Sequence, residues 1–344
     1  MQVRRNLMLR SSGDLRGLLI GRIWAAVLLL SATAASATAQ QSGPASEPKP
    51  PDPGAVRLEI SNADLHVLDD VIIHVPTFDA WMVPQPRHTV SLDDKQTFTM
   101  QILHGRTFLK DKDLAALLND YLLPHAKAPI SKISLHFKGQ TVEVKGDLKK
   151  GIRVPFEGRA QLDKTPEGEI RLHFTSITAA GFIKKGLMDA LGIRLSSVAQ
   201  PQKISRFRIV GDDIIFPIHA LFPPPRVSGN LTAVSIEGDS LVQEFGNPDT
   251  ALPPPRTPAP NYIYFHGGVM RFGKLTMSNV DLELVDMDPT TPFDFDLTHY
   301  YEQLEHGYSK SLPGFALLVY APDYRTIRSG EGGGSEGSHK GASK

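Results

Sequence analysis

The 344-residue chain is 41% hydrophobic and 22% charged, ordinary globular usage that excludes a wholly disordered chain and a multi-span membrane protein. Lys plus Arg and Asp plus Glu stand at 37 each, but residues 1–39 hold five Arg against Asp14 alone, so the rest carries a formal charge of −4. A mildly acidic body without a basic stripe speaks against a nucleic-acid partner, and zero Cys removes disulfides, thiolate metal sites and cysteine nucleophiles.

The N-terminus places Arg4, Arg5, Arg10, Arg16 and Arg22 before an apolar stretch from Ile23 to Leu30, then Ala37-Thr38-Ala39 before Gln40. Positive head, greasy middle and small-residue end, in that order, are what a signal peptidase reads. Residues 1–39 are therefore expected to be a signal peptide cleaved near Ala39, leaving a periplasmic or secreted protein. The alternative is a retained anchor. Against it, Leu18 to Leu30 is broken by Gly21 and Arg22 and falls short of the ~20 apolar residues of a spanning helix.

Residues 40–55 are rich in Pro, Ser and Gly and read as a disordered linker. Period-two alternation then begins at Val56-Arg57-Leu58-Glu59-Ile60 and resumes in Leu65 to Val75 around the Asp69-Asp70 turn. Further strands are predicted at Thr97 to Leu103, Ile133 to Phe137, Thr141 to Lys145, Ile152 to Leu162 and Ile170 to Ile177. More follow at Ile204 to Val210, Ile214 to Ala220, Leu231 to Ile236 and Ser240 to Phe245. Turn chemistry separates them, as in Lys138-Gly139-Gln140 and Glu237-Gly238-Asp239. Many short strands at regular intervals favour an antiparallel sheet over βαβ units.

Two segments follow the helical period instead. In Lys112 to Leu123, Leu114, Leu117, Leu118, Tyr121 and Leu122 share one face, with Asp111 placed as a cap and Pro124 as a stop. In Ala179 to Leu191, Phe182, Ile183, Leu187, Ala190 and Leu191 do the same ahead of Gly192. Residues 56–248 are thus expected to form one β-rich α+β domain, a highly curved antiparallel sheet wrapped on two amphipathic helices. A Pro-rich strap over 249–261 leads to 262–327. There Tyr262 to Phe265, Gly268 to Met277 and Val280 to Val285 are predicted as a three-stranded meander, Thr298 to His306 as a helix and Phe315 to Tyr320 as a last strand. That piece, small for an independent core, is expected to extend the main sheet. Residues 328–344 read as a disordered tail.

Motifs for chemistry are sparse. Asp286, Asp288, Asp294 and Asp296 with His299, Glu302, Glu305 and His306 concentrate possible ligands, but Pro289 to Phe293 interrupt any calcium-loop spacing and no HExxH pairs two imidazoles. The Phe293-Asp294-Phe295-Asp296 alternation reads as a structural loop with its acids facing water. No GxSxG elbow or phosphate-cradling glycine loop is present. The reading is therefore non-enzymatic, with no catalytic residue, metal or cofactor.

The run Asp113 to Leu122, then Ile133-Ser-Leu-His-Phe-Lys-Gly139, Val142 to Gly146, Ile152 to Gly158, Gly168 to Leu172, Phe182 to Leu191 and Val227 to Gly238 resembles the LmeA-like family of exported bacterial phospholipid-binding proteins, over about residues 90 to 246. The resemblance implies half of a tubular lipid-binding (TULIP) fold, with an apolar groove for a phospholipid or other acyl chain. It also implies partners in a lipid or membrane surface. Leu117, Leu118, Leu122, Phe182, Leu187, Leu191 and Phe216 are the candidate groove residues. An envelope scaffold docking another protein is the alternative reading, marked by an apolar patch exposed around Phe265 to Phe272. A metal-dependent hydrolase using Asp286 to His306 is the second alternative.

Overall fold

The computed structural model describes residues 49–123, 130–150, 152–179, 182–184, 207–247 and 254–329. The expected leader, most of the linker and the end of the tail lie outside them.

Alternation and the Asp69-Asp70 turn produce the hairpin Val56–Leu68 (β1) and Val71–Pro84 (β2), antiparallel in register from Val56↔Met82 to Leu68↔Val71. β1 is one continuous strand, kinked at Asn62, whose φ of +48 lies in the left-handed region that Asn tolerates better than most residues. Val90–Ser91 (β3) and Phe98–Lys110 (β4) follow. A second group comprises Ile130–Lys138 (β5), Thr141–Lys150 (β6), Ile152–Lys164 (β7), Ile170–Ala179 (β8), Phe182–Lys184 (β9), Arg208–Val210 (β10) and Asp213–Phe216 (β11). Then come Arg226–Ser228 (β12), Leu231–Glu237 (β13), Ser240–Gly246 (β14), Tyr262–Phe272 (β15) and Leu275–Asp286 (β16). Phe293–Asp296 (β17), Tyr308–Ser311 (β18) and Leu317–Ala321 (β19) complete the strands among the described residues.

These strands make two sheets. The larger runs β13-β14-β4-β2-β1-β15-β16-β19-β18, with β12 on β4, β17 on β1 and β3 on β15; β13 and β18 end the path unpaired with each other, so it is not closed into a barrel. Pairs β12/β4, β17/β1, β3/β15 and β16/β19 are parallel. The sheet is therefore mixed, which corrects the antiparallel expectation: chain that leaves the sheet and returns after a long connection can rejoin in the parallel sense. The smaller sheet, β10-β11-β8-β7-β6-β5 with β9 on β8, is antiparallel throughout.

The first predicted helix forms as Asp111–Ala116 (α1) and continues as a π-helical turn over Leu117–Leu122. Asn119 explains the widening. Its Nδ2 donates to Ala115 O at 2.9 Å and Ile133 O at 2.7 Å, while Ile133 N donates to its Oδ1 at 2.8 Å. The side chain competes for a helical carbonyl and ties the helix to β5. The second predicted helix is corrected at its start: Phe182–Lys184 is strand β9, registered Ala179↔Phe182 and Ile177↔Lys184. Pairing with the adjacent strand overrides a local 3.6-residue periodicity there, and 185–206 lie outside the described residues. The described residues therefore form a smaller antiparallel sheet, with one helix against it, and a large mixed sheet.

Ile214 to Ala220 is also corrected from strand to strand plus helix, because Pro217 cannot donate to a ladder and ends β11 before Ile218–Leu221 (α2). Tyr300–Glu305 (α3) lies within its predicted range, and Tyr324–Arg328 (α4) is an additional helix. The predicted three-stranded meander is two long strands instead, turning at Gly273. Gly267 (φ +73), Gly268 (φ +58) and Asn279 (φ +52) bend β15 and β16 without ending them. Gly268 is obligatory there, since a Cβ would sit 2.2 Å from Ala55 O.

Candidate functional site

The inward face of the large sheet changes parity along each of its central strands. On β1 the residues turned in are Leu58 and Ile60, then, past Asn62, Leu65 and Val67; on β2 they are Ile73 and Val75, then Phe78 and Met82. On β4, Met100 and Ile102 give way to Thr107. The pairing of β2 with β4 slips between His74 and Thr77 and again between Asp79 and Ala80. An extra residue in one strand bends it and increases its twist, and irregularities side by side on three adjacent strands curve the sheet around a hollow.

That hollow is a cavity of about 160 Å³. β14 contributes Gln243 and Phe245, and β15 contributes Ile263 and Phe265. One side is closed by the segment Phe222-Pro223-Pro224-Pro225 leading into β12, which pairs with β4. The other is closed by Phe295 and Leu297 of the β17 segment, which pairs with β1, and by Leu92 and Lys95 of the β3–β4 loop. Of 25 lining residues only Lys95, Thr107 and Gln243 carry polar side chains. Thr107 Oγ1 donates to Gln243 Oε1 at 3.1 Å, while Gln243 Nε2 is buried without a partner. Lys95 is half-buried. Burial lowers its ammonium's pKa, and Asp296 pulls it the other way.

Of the seven groove candidates, Leu117, Leu118, Leu122 and Phe216 do not line this cavity. Leu117, Leu118 and Leu122 are buried, on the helix against the smaller sheet. Leu118 and Phe216 line two voids of about 30 Å³ each between helix and sheet, too small for more than a water-sized guest. Phe182 lies on β9, and Leu187 and Leu191 fall outside the described residues. The cavity residues sit in strands that read as plain alternation. The detectable signal was the parity change from Leu58 and Ile60 to Leu65 and Val67.

The opposite face of the same strands is polar yet buried. Registers Asp79↔His104, Glu59↔Asp79, Glu59↔Tyr264 and Tyr264↔Glu283 set five polar side chains in a row across β4, β2, β1, β15 and β16. Arg57 and Asp79 are both 0% exposed and pair bidentately, Nε to Oδ1 at 2.5 Å and Nη2 to Oδ2 at 2.7 Å, with the guanidinium 5.0 Å from the Trp81 ring. Burial pushes the Asp79 carboxyl up, against the Arg57 bonds that pull it down. Burial also raises Glu59, whose Oε1 lies 3.4 Å from His266 Nε2. At the edge of this array the strap returns: Arg256 N donates to Glu283 Oε2 at 2.5 Å, Arg256 Nε to Asp281 Oδ1 at 2.9 Å, and Ser61 Oγ to Pro260 O at 2.8 Å.

The acids expected to face water in β17 are buried instead: Asp294 is 2% and Asp296 3% exposed. They are tied into local structure. Asp294 accepts from His66 and, at 2.6 Å, from Arg325 Nε; burial raises its pKa, but these bonds outweigh it and hold the carboxyl below its usual range. Asp296 Oδ1 accepts from Thr298 N and His299 N, both at 2.7 Å, ahead of α3. Among the described residues no group of three or more His, Asp or Glu side chains could hold a metal ion. Phe265 and Met270 are 3% and 0% exposed, so the apolar patch that would have marked a docking scaffold is core.

No protein-family model, curated protein or solved structure matches this chain.

Proposed function

We propose that this chain is an exported, non-enzymatic binding protein for an acyl-chain ligand, exchanging it with a membrane surface of the cell envelope. The observation that carries the reading is the almost wholly apolar cavity of about 160 Å³ held inside the bend of the large sheet. A void of ~150 Å³ lined by Leu, Ile and Phe takes up a benzene-sized guest, so this one has room for about six carbon atoms. It takes a short acyl compound whole, or the end of one tail of a larger lipid such as a phospholipid. At ~0.8 kcal/mol per methylene the apolar part contributes about 5 kcal/mol, which corresponds to a Kd between ~0.1 and ~1 mM. Tighter binding needs polar contacts as well. The signal-peptide-like N-terminus and the resemblance to LmeA-like proteins agree with this reading.

The test is mass spectrometry of an organic extract of the protein purified from a membrane-containing host, followed by titration of the delipidated protein with hexanoate. Co-purifying acyl compounds and saturable uptake are expected. Delipidated protein that takes up no acyl probe overturns the proposal.

A further inference from the structure

The apolar stripe of β7 runs on past the core it belongs to. Phe156, Gly158 and Ala160 are buried, with Phe156 facing a small void that Leu118 of the helix also lines. Period two puts Val154 and Ile152 on the same face. Val154 is half-buried against the core, whereas Ile152 is 74% exposed. The β6–β7 ladder pairs Leu148, 2% exposed, with Val154, then Lys149 with Arg153 and Lys150 with Ile152, where it ends. Lys149, Lys150 and Arg153 stand between Leu148 and Phe156 with no acid among them, in a chain whose formal charge beyond residue 39 is −4. The acids flanking this stretch are engaged elsewhere: Asp147 lies 3.4 Å from the Lys132 ammonium and Glu157 2.9 Å from that of Lys145. An aliphatic side chain thus projects into water at the most cationic end of the smaller sheet's longest hairpin.

We propose that this end of the β6–β7 hairpin is where the protein docks on an anionic lipid bilayer: Ile152 enters the interfacial layer, and the positive charges of Lys149, Lys150 and Arg153 meet the headgroups. This rests on the reading of a protein that exchanges its ligand with a membrane, and it names the part that touches that membrane. A stable protein partner needs about 800 Å² per side around a core from which Lys is depleted, and one Ile set among cations does not supply such a core. A bilayer requires no complementary shape. Each cation near an anionic leaflet strengthens attachment about fivefold, and a single apolar side chain adds its own transfer out of water. One shallow insertion plus a short basic cluster gives weak, reversible attachment, which ligand exchange requires. Phe315, 96% exposed before β19, is the natural comparison, since its nearest cation in sequence is Lys310, five residues away.

The experiment is co-sedimentation of the exported chain with phosphatidylcholine vesicles, with and without about 30% phosphatidylglycerol, repeated on Ile152→Ser, on Lys149→Gln, Lys150→Gln and Arg153→Gln combined, and on Phe315→Ser. The unmodified protein should prefer the anionic vesicles at least tenfold, and salt should erase the preference. I152S should weaken binding to anionic vesicles about tenfold, and the triple variant about a hundredfold, to the level of neutral vesicles. F315S should bind as the unmodified protein does. All variants should keep its melting midpoint, which separates a lost contact from a lost fold. No preference for anionic vesicles in the unmodified protein overturns the proposal whether or not the variants fold, and so does a loss in F315S equal to that in I152S. Binding to polyglutamate as strong as to anionic vesicles and indifferent to I152S marks a plain basic patch and overturns the membrane assignment. Hexanoate uptake without vesicle preference removes the docking point and leaves the acyl cavity standing; vesicle binding through Ile152 without hexanoate uptake does the reverse.

Discussion

Filling the cavity should stabilise the fold and abolish binding together. Val75 is 2% exposed and lines the void from β2, and Phe at that position keeps a good strand former. Val75→Phe adds four carbon atoms, worth about 3 kcal/mol at ~0.8 kcal/mol each, from which imperfect fit subtracts ~1–3 kcal/mol. The expected net is a gain of up to ~2 kcal/mol in urea unfolding, read as a higher midpoint at unchanged slope. Occupying about four of six carbon positions should weaken hexanoate binding more than ~10-fold, equivalent to ~1.4 kcal/mol. Most substitutions that damage a binding site by distorting it also lower stability, so opposite signs in the two assays are the diagnostic result. Affinity retained in V75F refutes the placement of the ligand in this void. A loss above ~2 kcal/mol shows that the space cannot accept a ring.

Other consequences can be checked independently. Arg57→Met leaves the Asp79 carboxylate buried without its cation and should cost ~3–5 kcal/mol in urea unfolding, whereas Arg57→Met with Asp79→Leu should recover most of that loss; equal losses would show the pair is not the source. Gly268→Ala, whose Cβ meets Ala55 O at 2.2 Å, should lower Tm far more than Gly267→Ala, which meets nothing within 4 Å and carries only left-handed strain of ~1–2 kcal/mol. Leu117→Ala, fully buried on the helix but outside the cavity, should cost ~2–5 kcal/mol and leave hexanoate affinity unchanged. Burial raises the Asp286 carboxyl from 3.8 to about 6 despite bonds from Asp288 N and Asn261 Nδ2. A folded pKa above the unfolded one stabilises below the unfolded value and is lost as pH rises through about 6. Unfolding free energy should therefore carry a falling component, on the order of 3 kcal/mol, from about pH 4 to pH 7. That component should be absent in Asp286→Asn.

Local patterns were sufficient for the β-rich class, for the β1–β2 hairpin and for the presence of the first helix, because alternation, turn residues and one apolar stripe act within a few residues of each other. The same patterns could not announce that Gly267, Gly268 and Asn279 bend strands rather than end them. A glycine in the left-handed region serves either purpose, and the ladder partners choose between them. Nor could they tell that Phe182–Lys184 would pair with β8, since pairing energy comes from the neighbouring strand. The burial of Asp294 is not legible locally because its partners His66 and Arg325 are distant in sequence, whereas the Asp296 carboxylate is held by the nearby Thr298 and His299 amides.

The candidate site shows the same division most clearly. Sequence alone determined that the chain would be rich in strands whose apolar residues alternate. Tertiary structure decided that one side of β1, β2, β4, β14 and β15 encloses a hollow rather than a packed core, through irregularities aligned across three strands and segments from positions 222–225 and 293–297 folded over it. A cavity is the space between surfaces supplied by chain far apart in sequence, and no short-range pattern encodes that distance.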